Sequence, residues 1–109
     1  DILSAAPLAA TGELSSRRLK LAMGLIGKNR HYRTADIEPR HFLSTAAAVD
    51  YPKAEMLAVL NHFARLTPEV VAKVRNKLPS GFPETTASPI FEVLQKRVGK
   101  IATFLQTQT

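Results

Sequence analysis

The stretch EPRHFLSTAAAVDYPKAEMLAVLNHFARLTPEVVAKVRNKLPSGFPETTASPIFEVLQKRVGKIATFLQ, residues 38–106, decides the fold. Proline recurs in it where a helix can begin: Glu38-Pro39, Tyr51-Pro52, Thr67-Pro68 and Ser88-Pro89. At the first helical position the N–H that proline lacks has no partner to lose, and Thr67 and Ser88 are good N-caps. The spacing predicts four helices, at about 39–49, 52–66, 68–78 and 84 or 89 to 106, since Pro83 can open the last one with Pro89 inside its early turns. Each carries an apolar stripe that repeats every three or four residues: Phe42, Ala46, Val49; then Met56, Leu60, Phe63, Ala64; Val70, Val74, Leu78; and Ile90, Leu94, Val98, Ile101, Leu105. Leu60, Phe63, Val74, Leu94 and Ile101 are central in these stripes and form the expected core. Pro79, Gly81 and Pro83 break the chain before the last helix.

Upstream the pattern changes. Residues 1–16 have no period of 2 or 3.6 and read as an extended or loop segment. Residues 17–33 hold Arg17, Arg18, Lys20, Lys28, Arg30 and Arg33, with His31, and no acid. Their centre is apolar as far as Ile26, turns over Gly27, Lys28 and Asn29, and resumes at Tyr32, which suits a short hairpin better than a helix containing Gly24 and Gly27. The expected fold is therefore mainly α: one domain, with an extended segment over 1–16, a basic hairpin or arm over 17–36 and a bundle of about four helices over 37–109.

A chain of 109 residues supports one core at most. No apolar run approaches the ~20 residues that span a bilayer, and no basic flank precedes Ile2 to Ala10 as in a signal peptide. A soluble, cytoplasmic protein with no membrane association is expected, in keeping with the lack of cysteine. A net charge of +6 favours an acidic partner.

His31, His41 and His62 lack metal-ligand spacing, the acids are scattered singly, and no Ser-His-Asp order, glycine-rich phosphate loop or HExxH motif occurs. The chain does not encode a self-sufficient enzyme. The cations of residues 17–33, with Tyr32 and Asn29 beside them, could contact the phosphates of nucleic acid. A solvated hairpin, or one paired with acids of a longer protein, is the more ordinary explanation of them. Arg40 and His41 open a helix, where a cation opposes the positive end of the dipole, so a partner carboxylate or carbonyl is expected there.

Read together, LKLAMGLIGKNRHYRTADIEPRHFLSTA (19–46), FARLTPEVV (63–71) and LPSGFPE (78–84) resemble the C-terminal region of HipA-type serine/threonine kinase toxins across essentially the whole chain. The resemblance implies a kinase with an α-helical C-terminal lobe that uses ATP and Mg2+. It implies a helix-turn-helix antitoxin that holds the kinase at operator DNA, and a protein substrate that can be an aminoacyl-tRNA synthetase. DILSA at residues 1–5 matches the family's metal-binding motif, which makes Asp1 the implied magnesium ligand. The catalytic-loop acid, the nucleotide-binding lysine and the phosphate-binding loop would belong to the N-terminal remainder of the kinase, so this chain alone is expected to be catalytically silent. Some relatives carry basic residues that approach DNA on the helix after PRHFL. Here those positions are Ala46, Ala47, Ala48, Val49 and Asp50, a departure that puts direct contact of this helix with DNA in doubt. The other reading of the chain is a free-standing basic helical module that binds nucleic acid or a protein through residues 17–33. A kinase subdomain would leave an apolar face uncovered, whereas a free module would bury its own stripes.

Overall fold

The computed structural model describes residues 4–108. Proline at Pro39 opens α2 (Pro39–Ala48) as the sequence requires, and Glu38 caps it in extended conformation. Helix α2 ends in a left-handed residue, Asp50 at φ 58°, with Tyr51 N–H on Ala46 C=O at 2.8 Å and Asp50 N–H on Ala47 C=O at 3.3 Å. These are the two bonds of a Schellman cap, built here on aspartate instead of glycine.

Two further helices follow, where three were expected. Helix α3 runs from Lys53 to Lys77 without interruption through Pro68, and α4 from Glu84 to Gln106 through Pro89. The expected break between 52–66 and 68–78 does not occur. Proline inside a helix loses one backbone bond and crowds the preceding turn, but the covered positions of α3 stay in phase across it. Leu60 and Val71 are buried and Ala64, Thr67 and Leu78 half-buried, at steps of three, four and seven residues. One straight face can thus pack as a unit, with Pro68 on the exposed side. For α4 the earlier of the two starts holds, with Pro83 as N-cap.

Residues 79–82 reverse the chain between α3 and α4: Phe82 N–H bonds Pro79 C=O at 3.1 Å, and Gly81 takes φ 81°, a value that favours glycine. The reversal brings Val71, Leu78, Ala87 and Phe91 into one cluster. Arg75 closes it from outside, lying 4.7 Å from the centre of the Phe91 ring and 3.5 Å from Glu84.

The hairpin is present as expected: β1 (Lys20–Ile26) pairs antiparallel with β2 (Arg30–Arg33) around a loop at 27–29. The register shifts between Lys20 and Leu25, so the longer strand bulges. A single 3-10 turn, Thr34–Asp36, leads from β2 to α2. Residues 1–16 are not wholly extended, because Ala6–Ala10 form a short helix, α1, which packs on α4.

The expected core is partly corrected. Leu60 is buried and Ile101 half-buried, but Phe63, Val74 and Leu94 are 57%, 43% and 43% exposed. Apolar residues span a wider arc of α3 than its neighbours cover. The side through Leu60 and Val71 is packed, while Phe63, Val70 and Val74 lie just outside the contact.

Candidate functional site

The six cations singled out from sequence all lie on the surface. Arg17 and Arg18 precede β1, Lys20 opens it, Lys28 sits in the loop, and Arg30 and Arg33 bound β2. Lys20 and Arg33 are cross-strand partners, a like-charge pairing that disfavours the hairpin by itself. Among the described residues the ion pair is Arg75 with Glu84, remote from the hairpin, so none of these cations is neutralised by an acid in contact. The resulting positive surface can attract phosphate or carboxylate groups.

What seats this hairpin is a cluster on the first turns of α2. Thr45 Oγ donates to His41 C=O at 2.7 Å and accepts from Ile26 N–H at 2.8 Å, tying the end of β1 to the helix. His41, four residues earlier on the same face, is 1% exposed. Its Nδ1 accepts from Glu38 N–H at 2.9 Å, so the neutral ring carries its proton on Nε2, and Nε2 has no partner among the described residues. The His31 ring from β2 stacks on it, with centroids 4.1 Å apart and planes 14° from parallel. Gly27 makes room for this stack, since a Cβ there would stand 2.8 Å from both His31 Nε2 and His41 Cδ2. Burial holds the His41 pKa below the ordinary 6.5; the His31 and Arg40 charges act in the same direction and Glu38 opposes them.

Arg97 of α4 fastens the segment between hairpin and helix. Its guanidinium donates to Thr34 C=O at 2.5 Å and to Ile37 C=O at 3.4 Å. Beside it an open groove of about 600 Å³ runs between α1, β1, α2 and α4. Ala6, Leu19, Phe42, Val93 and Ile101 line it, with Lys96 and Lys100 at one side.

His41 has the structural role considered for it from sequence, whereas Arg40 is exposed and makes no ion pair with any described acid. The roles of Thr45 and Arg97 had no local signal, because their partners lie 19 and 60 or more residues away. Asp1, the implied magnesium ligand, lies outside the described residues. Among the described residues no three His, Cys, Asp or Glu come together to hold a metal ion. No described helix is long and apolar enough to cross a membrane. No protein-family model matches the chain.

Proposed function

We propose that this chain is the C-terminal helical subdomain of a HipA-like toxin kinase of a toxin-antitoxin system, a scaffold that braces the kinase cleft and docks a helix-turn-helix antitoxin. The observation that carries this reading, beside the resemblance, is uncovered surface. The chain exposes 8116 Å², whereas a compact monomer of 11.9 kDa exposes about 5900 Å². Its radius of gyration of 15.4 Å likewise exceeds the ~13 Å of a close-packed chain of this length. Val49, Phe63 and Val70 are more than half exposed, which supports a body completed by further polypeptide. On this reading ATP and Mg2+ are held jointly with the N-terminal remainder of the kinase, Asp1 supplying one carboxylate in the cytoplasmic holoenzyme. Operator DNA is reached mainly through the antitoxin, and the phosphorylated protein is of the aminoacyl-tRNA synthetase kind.

The test is Asp1→Asn in the whole polypeptide that carries this chain. Magnesium- and ATP-dependent phosphorylation of a protein substrate should be abolished with the melting temperature nearly unchanged. Full kinase activity in that variant, or nucleotide turnover by the 109-residue chain alone, overturns the reading.

A second reading, a free basic module, is favoured by the six exposed cations, which have no ion-pair partner among the described residues. It requires that the chain alone bind nucleic acid, with affinity falling steeply as salt rises. Binding lost on neutralising Arg30 and Arg33 would support it.

A further inference from the structure

The His31–His41 stack has a property that packing alone does not require. The buried ring is serviceable only when neutral. With Nδ1 unprotonated it accepts the Glu38 N–H that begins α2; with Nδ1 protonated, two donors face each other and that bond is lost. The proton that the neutral ring carries on Nε2 already has no acceptor among the described residues. A charge on this ring would sit at 1% exposure against a second imidazole, where burial without a partner is costly.

We propose that the stacked pair His31–His41 is a proton-operated latch: it clamps the basic hairpin to α2 while His41 is neutral, and it releases the hairpin when His41 takes up a proton. The charged groups that act on His41 are His31 from β2 and Arg40 and Glu38 at the start of its own helix; β1, α3 and α4, which also pack on α2, add none. Burial, His31 and Arg40 thus oppose the one carboxylate, and a protonated ring is driven out of its seat. The stack and the close approach of Gly27 leave with it. What then holds the hairpin is the Thr45 bond to Ile26, with Arg97 on Thr34 C=O where the chain leaves β2. The device converts pH into the presentation of Arg30, Arg33 and Lys28, whichever partner those cations meet. The direction follows from linkage: a histidine held neutral by the fold contributes stability that is fully present above its ordinary 6.5 and is lost as pH falls through the lowered folded value.

Hydrogen exchange read by mass spectrometry tests the latch in the whole polypeptide that carries this chain. Protection factors, corrected for intrinsic exchange, should drop at least about tenfold over residues 19–33 between pH 8 and pH 5. Residues 84–106 should keep theirs. His41→Gln retains a side-chain acceptor for the Glu38 N–H but cannot titrate, and it should flatten the pH response of the hairpin. Equal hairpin protection at the two pH values, or an undiminished drop in His41→Gln, overturns the proposal. Should that variant fail to fold, ring NMR of the unaltered protein decides: a His41 midpoint below 6.5 that coincides with shifts of the hairpin amides supports the latch, and a midpoint at or above 6.5, or hairpin amides that do not move with the ring, rejects it.

Discussion

Thr45 Oγ lies 2.8 Å from the backbone nitrogen of Ile26, and through that one hydroxyl the β-hairpin is bonded to helix α2. The same oxygen donates to His41 C=O at 2.7 Å, so its hydrogen is committed and its lone pair faces the strand. Thr45→Val preserves shape and removes both bonds. It should destabilise the hairpin seat by about 1 to 3 kcal/mol, the cost of leaving a part-buried N–H without a partner. Denaturant titration measures the loss, and faster exchange confined to Ile26 and its neighbours locates it. A change below about 0.5 kcal/mol would mean that water replaces the hydroxyl at no cost.

Leu60 and Phe63 occupy one apolar stripe in the sequence but opposite situations in the fold, at 4% and 57% exposure. Leu60→Ala should cost about 2 to 5 kcal/mol through lost contacts and the cavity left behind. Phe63→Ala should cost under about 1 kcal/mol in the chain alone, in line with surface substitutions. If a larger polypeptide covers this face, the Phe63 penalty should rise there to the level of a buried aromatic. Thermal melts of the two variants in both contexts give the comparison.

Pro68 interrupts the backbone bonding of α3 without ending the helix. Pro68→Ala restores an N–H for the Ala64 carbonyl and removes the ring's clash, so it should stabilise the chain by about 1 to 3 kcal/mol. A helix that began anew at Pro68 would instead gain nothing or lose a favourable first residue. Circular dichroism and the midpoint of urea unfolding distinguish the outcomes.

Glu84 carries a pH dependence of its own at the start of α4. The Ser88 hydroxyl, 2.5 Å from its carboxylate, holds its pKa below the ordinary 4.5, with a smaller contribution from Arg75, and partial desolvation works against them. A carboxylate lowered by the fold stabilises above its ordinary pKa, and that contribution disappears as pH falls through the lowered value. Ser88→Ala should therefore move the Glu84 midpoint upward in a carboxyl-carbon NMR titration. An unchanged midpoint would mean that the hydroxyl bond is not formed in solution.

Much of this architecture was legible from the sequence, where interactions act over a few residues. Pro39 and Pro83 mark helix starts because a missing N–H or an extended cap has its effect locally, and the turn at 27–29 follows from glycine and asparagine chemistry at the end of an apolar run. The exposed positions of the six cations were equally legible, since charge without a partner stays in water. Other features were decided only by tertiary contact. Thr67-Pro68 carries local signals for a helix start, yet the shared covered face through Leu60 and Val71 outweighs them. Which half of the α3 arc is covered depends on where α4 returns, so Phe63 and Val74 are uncovered although their spacing matches that of a core. The seat of the hairpin joins His31 to His41 and Ile26 to Thr45, and Arg97 reaches back to Thr34, pairings whose separation along the chain no periodicity encodes. Short-range propensity chooses the elements, and the burial gained when distant elements meet chooses which of their faces and polar groups find partners.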